Sequence, residues 1–393
     1  MPPRHAIWGS ELSPFALKLR ALCEVAGLEY RWLPADGGRL ENTLTALTIE
    51  RAKRAGAVVR YPRTSPLDEY PLVPFLVEDR RSVLYDSSAL ARWLDDHHPP
   101  RNGALFPRGD QALAFVAQLI DESFDELGLY LVHHNRWVLS AATNDAGARL
   151  ARELRRVLPP GTLGVFGRRF ARRQVRRLPY LFSVAPEGFC LPGVRPELTP
   201  PSRAGFPPTQ ALLDRIWEEH LRAMEAVFTR QPFLLGDRFT VADASAYGQL
   251  AMNLADPTAA ERLRLLAPAT FAWLCNIRDR GHVGSSGDLR LADSLRPLLQ
   301  LILRTFVPLM QQNAHAYEAA QRRGETLFNE AAFNRDRSLY DGTLLDQPFR
   351  SVVKTFQVRV WRELVDVWTN LSGEARAAVS QLCGVDADTM LRA

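Results

Sequence analysis

The stretch YPLVPFLVEDRRSVLYDSSALARWLD, residues 70–95, decides the fold. Two short apolar runs, 73–79 and 82–86, flank the charged turn Asp79-Arg80-Arg81, and a helical pattern over 87–97 follows at once. Runs of this length, rich in Val, Leu, Phe and Tyr and broken by charge, read as paired strands. Towards the N-terminus, strands are expected over 5–8 and 29–33, flanking a helix over 14–26 that stops at Gly27. The order is strand–helix–strand, a gap of about 40 residues, then strand–strand–helix. That alternation specifies a small α/β sheet covered by helices.

Each turn of this unit carries residues with two readings. In SELSPFALKL, residues 10–19, Ser13 stands at a helix N-cap and Pro14 at the first helical position. Ser13 is then either an ordinary cap or a hydroxyl that holds an anion at the positive end of the helix dipole. Pro74 opens a strand, where a missing N–H is tolerated and a cis bond is affordable. Its functional reading leaves the Val73 N–H and C=O free to pair with an extended peptide. Asp86 and Ser87 either cap the helix that follows, or bind a ligand's ammonium and carboxylate groups respectively.

Downstream of about residue 108 helical patterns dominate, over 109–131, 143–157, 209–230, 241–253, 257–280 and 294–322. The Pro- and Gly-rich segment 179–208 reads as a long loop, and 280–288 as a joint. In RSVVKTFQVRVWRELVDVWTNL, residues 350–371, the alternation of Phe356, Val358 and Val360 fits strand or helix equally. At 393 residues the chain needs two or three domains. Hydrophobic and charged fractions of 46% and 24% fit a water-soluble globular chain. The start shows no signal-peptide pattern, and LLQLILRTFVPLM is too short to span a membrane, so a cytoplasmic location is expected. Cys23, Cys190, Cys275 and Cys383 form no CxxC pair and read as reduced thiols. The pairs His97-His98 and His133-His134 have no acid–Cys cluster beside them, so no metal site is expected.

Three blocks in order resemble the cytosolic glutathione transferases: SPFALKLR, the 70–95 block, and QPFLLGDRFTVADASAYG at 231–248. The resemblance implies an α+β chain: a thioredoxin-like domain over 1–100, then an all-α domain over 101–300 enlarged by an insertion at about 132–208. Residues 301–393 would form an extension packed on the helical domain. It also implies that Ser13 is the catalytic hydroxyl and that Val73, Pro74, Asp86 and Ser87 bind glutathione. Glutathione would then be a co-substrate, with no cofactor, and its thiolate would attack a small apolar electrophile. A homodimer is a further implication. Thr240 and Asp243 form a capping box, which marks the fold and not the site. Cys23 reads as packing. Arg51, Lys53, Arg54 and Arg60 are candidates for the glycine carboxylate of the peptide.

Residues 149–177 hold ten arginines and one acid, a local charge of +9 that leaves −4 on the rest of a chain of net +5. Basicity this local does not describe a nucleic-acid-binding protein, and no nucleic acid is expected as a partner. Within this segment arginine pairs recur every four residues beside Phe166 and Phe170. A helix over 166–178 would be a solvated face, or would lay Arg168, Arg172 and Arg176 on an anionic membrane surface. The rival to an enzyme is a non-catalytic binding or scaffold module of the same fold that uses this helix.

Overall fold

The computed structural model describes residues 3–68, 71–79 and 81–392. Tyr70 and Arg80, both in the block quoted above, lie outside the described residues. The N-terminal unit runs β1 (His5–Trp8), α1 (Pro14–Ala26), β2 (Tyr30–Leu33), α2 (Arg39–Arg54), β3 (Val58–Arg60), β4 (Phe75–Glu78), β5 (Ser82–Tyr85) and α3 (Ser87–His97). Its sheet has the order β2-β1-β4-β5-β3, with β1 parallel to β2, antiparallel to β4, and β3 parallel to β5. The gap in the sequence reading is therefore not an unstructured insert. It holds α2 and an edge strand, missed because β3 is three residues long and α2 is mostly polar.

Helix α1 begins and ends where its residues dictate. Ser13 accepts from the Ala16 N–H, Pro14 takes the first position, and Gly27 closes the helix in the left-handed region at φ 67°. Its apolar face, with Leu17, Leu19 and Leu22, is buried with Ile7, Leu76, Leu90 and Leu94 in one core. The opposite contact is with α9 (Val241–Leu254), and Gly248 makes it possible. A Cβ there would lie 2.5 Å from the Pro14 carbonyl oxygen. This close approach seats the start of α1 on the helical domain.

The helical domain contains α4 (Gln111–Ser123), α5 (Leu129–His134), α6 (Ala146–Glu153), α7 (Leu163–Arg176), α8 (Gln210–Phe228), α9, α10 (Pro257–Leu266) and α11 (Pro268–Arg278). Helices α4 and α5 are joined by a π-helical turn at Phe124–Gly128, and a second, Asn135–Leu139, extends α5. Such turns shift the side-chain register and often occur at functional sites. Pro268 splits the helix expected over 257–280, because proline cannot continue a helix from the preceding turn. Thr240 and Asp243 close the expected capping box at the start of α9. Residues 179–208 are irregular but for a 3-10 turn at Pro196–Leu198.

The last hundred residues form α12 (Arg296–Arg304), α13 (Phe306–Arg322), α14 (Asn329–Phe333), a hairpin of β6 (Leu339–Leu344) and β7 (Gln347–Val352), α15 (Thr355–Thr369), α16 (Gly373–Cys383) and α17 (Ala387–Arg392). The ambiguous piece is thus strand up to Val352 and helix from Thr355, with Val358 and Val360 both buried in α15. Trp368 of α15 is fully buried with its ring 4.9 Å from that of Phe115 on α4.

Candidate functional site

The β1–α1 turn, the segment before β4 and the start of α3 open into one cavity of about 390 Å³. Ser10, Ser13, Val73, Pro74, Asp86 and Ser87 all line it. The Val73–Pro74 bond is cis, as expected. The Val73 backbone N–H and C=O take part in no hydrogen bond among the described residues. Ser87 is buried at the first turn of α3, and neither its hydroxyl nor its N–H has a hydrogen-bond partner among the described residues.

The two serines differ in where they stand, Ser10 within the β1–α1 turn and Ser13 at the N-cap of α1. The Ser10 oxygen accepts from the Leu12 N–H at 3.0 Å, two residues on, so it belongs to the turn. The Ser13 oxygen accepts from the Ala16 N–H at 3.3 Å, which uses a lone pair and leaves the hydroxyl proton to be donated.

Asp86 is the cap that the sequence reading allowed, and it has partners the sequence does not show. One oxygen caps the Ser88 and Ala89 N–H groups at 3.1 Å each, and the other accepts from Arg60 Nε at 2.8 Å. Arg359, from α15 of the C-terminal extension, lies 3.5 Å from that same oxygen. Arg359 also reaches Asp68 at 2.9 Å and Glu363 at 2.7 Å. Burial pushes the Asp86 carboxyl up, but Arg60 and Arg359 outweigh it and hold the group below its ordinary value. Three carboxylates thus face two guanidinium groups, and the cluster keeps one negative charge. The candidates for a glycine carboxylate are corrected. Arg60 is engaged here, Lys53 pairs with Glu50, and Arg51 and Arg54 do not line the cavity.

A buried network behind the cavity was missed. Lys18 of α1, fully buried, donates to Ser88 at 2.7 Å, Asp121 at 2.6 Å and Asp125 at 2.7 Å. It ties together the helices that carry Ser13, Ser87 and the acidic wall of the cavity. Burial, with Asp121 alongside, holds the Asp125 carboxyl above the ordinary carboxylate range despite Lys18. Removing one partner of such a buried set costs about 3–5 kcal/mol, since an unpaired charge remains in low dielectric. The signal was present: Lys18 stands among Phe15, Leu17, Leu19 and Leu22, and Asp121 and Asp125 lie four apart, on one helical face, in LIDESFDELG at 119–128.

The far wall comes from the insertion and the extension. Trp137 and Phe170 meet edge-on at 6.2 Å, and Leu129, Leu150, Leu181 and Phe356 complete an apolar lining. Within it stand Tyr130 from α5 and Lys354 and Gln357 at the start of α15. His133 faces the Leu129 carbonyl at 3.0 Å, and burial pushes its pKa down to about 4, so its ring is neutral. Its neighbour His134 bonds to Ser183 and Asp214. Among the described residues no group of three or more His, Cys, Asp or Glu side chains could hold a metal ion. Cys23, on the inner face of α1, is fully buried in the core, and burial raises its thiol pKa.

Helix α7, expected to be only a surface element, is a wall of the cavity through Phe170, Gln174 and Arg177. Gly147 and Gly167 allow it to touch α6: a Cβ at Gly147 would lie 2.4 Å from the Gly167 carbonyl oxygen. Arg172 pairs with Glu197 and Arg177 with Glu330. Arg168, Arg169, Arg173 and Arg176 are exposed.

Comparison with known proteins adds two domain matches. Residues 12–97 match the family model for the glutathione S-transferase N-terminal domain, and residues 194–274 that for the C-terminal domain. No curated protein matches the chain. Among solved structures, a glutathione S-transferase of Ceriporiopsis subvermispora in complex with glutathione is 18% identical, covers 70% of this chain and 96% of its own, with a TM-score of 0.42. A β-etherase from Sphingobium sp. strain SYK-6 is 17% identical over 71% of this chain and 97% of its own, with a TM-score of 0.41. A glutathione S-transferase from Rhodospirillum rubrum F11 is 19% identical over 75% and 91%, with a TM-score of 0.36.

Proposed function

We propose that this chain, which belongs to the glutathione S-transferase superfamily by its two matched domains, binds glutathione and directs its thiolate at an apolar electrophile. One observation carries the reading: Ser13, Val73 and Ser87, from three separate turns, open into the same cavity with hydrogen-bonding groups unspent. The extended tripeptide lies along Val73. Its terminal carboxylate at the γ-glutamyl end takes the Ser87 hydroxyl and the first N–H of α3, where the helix dipole favours an anion. The adjacent ammonium faces the Asp86 cluster and its residual negative charge. At the other end the Ser13 hydroxyl donates to sulfur, and α1 adds its positive end. Both favour the thiolate over the thiol. The sulfur then forms a bond to carbon while the leaving group takes its electron pair, so serine stabilises the nucleophile and does not act as one.

Isothermal titration calorimetry of the full chain tests the binding half. Glutathione is expected to bind the wild type, and Ser87→Ala to weaken it about tenfold, the loss of one hydrogen bond to a charged group. The melting temperature without ligand should barely move. A wild type that gives no binding heat would favour the scaffold module over the enzyme.

A further inference from the structure

The cavity contains a polar group that thiolate formation does not use. The phenol oxygen of Tyr130 accepts from Gln357 Nε2 at 2.8 Å and from Lys354 Nζ. Two donors fill its lone pairs, and in none of its hydrogen bonds among the described residues does it donate. Tyr130, Lys354 and Gln357 are all buried, and all line the cavity.

The arrangement is held from several sides. The Tyr130 ring stacks on Phe182 at 5.5 Å and 10°. Lys354 Nζ sits 4.2 Å from the centre of the Tyr130 ring and 4.9 Å from that of Tyr180. Asn313, fully buried on α13, clamps the Lys354 backbone, accepting from its N–H and donating to its C=O at 2.9 Å each. Glu126, Tyr180 and Tyr340 are the other titratable groups near Tyr130, and burial keeps the phenol protonated.

Resting on the glutathione reading above, we propose that Tyr130 is the proton donor to the second substrate. That substrate is an aromatic molecule whose carbon–oxygen bond breaks as sulfur attacks. The sulfur lone pair forms the new bond to carbon, and the carbon–oxygen pair passes to oxygen, which takes the Tyr130 proton. Lys354 and Gln357, as positioning residues, hold the resulting tyrosinate. Water then returns to it the proton that glutathione lost on ionising, so the net reaction adds or transfers a thiol with no oxidant or reductant.

The chemistry singles out oxygen. A halide departs as a stable anion and needs no proton, so a phenol backed by two donors has no part in its departure. An alkoxide or phenoxide is a poor leaving group until it is protonated, and a placed acid contributes about 10²–10⁴-fold to such a step. The ring of the substrate is accommodated by Trp137, Phe170 and Phe356.

Styrene oxide and benzyl chloride both carry a phenyl ring, but only the first breaks a carbon–oxygen bond. The wild-type chain, saturated with glutathione, should convert both. In Tyr130→Phe the ratio of kcat/KM for styrene oxide to that for benzyl chloride should fall about 100-fold. Lys354→Met and Gln357→Leu should lower the ratio in the same direction by smaller factors. A merely structural role would depress both substrates together, so an unchanged ratio in all three variants overturns the proposal. So does a wild type that binds glutathione by calorimetry yet turns over benzyl chloride alone, or neither substrate. A wild type that binds no glutathione overturns the reading beneath it as well, and the calorimetry separates the two failures.

Discussion

Ser13 and Asp86 each stand one residue ahead of a helix, yet they retain different capacities. Ser13 spends a lone pair on its cap and keeps a proton, whereas both Asp86 oxygens are occupied. The sequence could show both as caps. It could not show the partners of Asp86, because Arg60 lies 26 and Arg359 273 positions away, and ion pairing at that range leaves no local pattern. The perturbation of Asp86 has a sign that can be measured. Its folded value lies below its ordinary 3.8, so ionised Asp86 stabilises the fold above about pH 4 and that contribution is lost as pH falls further. Between pH 6 and pH 3 the wild-type melting temperature should drop, and Asp86→Asn should start lower at pH 6 and drop less. If the variant falls as steeply as the wild type, Asp86 is not a charge the fold depends on.

At the scale of elements, legibility followed periodicity and chain distance. Helix α1, the β4–β5 pair and the α9 capping box were readable because each is set by neighbours a few residues away. Strand β3 was not, since three residues cannot establish a period, and its place beside β5 is decided across the sheet. Helix α7 was half readable. Its recurrent arginines were plain, but the sequence could not show that its inner face with Phe170 walls the cavity. The outer face, with Arg168, Arg169, Arg173 and Arg176, remains available to an anionic surface. If it serves one, the chain will co-sediment with vesicles containing anionic lipid and be released by added salt, which screens exposed charges within about 10 Å at 0.1 M. Equal binding to neutral vesicles, or none to either, leaves these arginines as a solvated face.

The whole molecule is a frame of two matched segments with a far wall that lies largely outside them. The frame is covered by the matched segments, 12–97 and 194–274, and they hold Ser13, Val73, Asp86 and Ser87. Tyr130, Phe170, Lys354, Phe356 and Gln357 lie outside both segments, Phe170 in the insertion and Lys354, Phe356 and Gln357 in the extension, so the wall proposed to face a second substrate draws on residues beyond the matched segments. In three dimensions α15 and the insertion reach the same cavity as Ser13, Val73 and Ser87. The central claim is that Ser13 and the start of α1 favour a glutathione thiolate, and ultraviolet absorbance of the bound thiolate against pH tests it most directly. In the wild type the bound thiol should titrate well below the free-thiol value of about 8.5. Ser13→Ala should raise that midpoint and slow conjugation by about 10- to 1,000-fold, while Ser10→Ala should leave the midpoint in place. A wild type in which bound glutathione titrates like the free peptide, or a midpoint that moves with Ser10 and not Ser13, would contradict it.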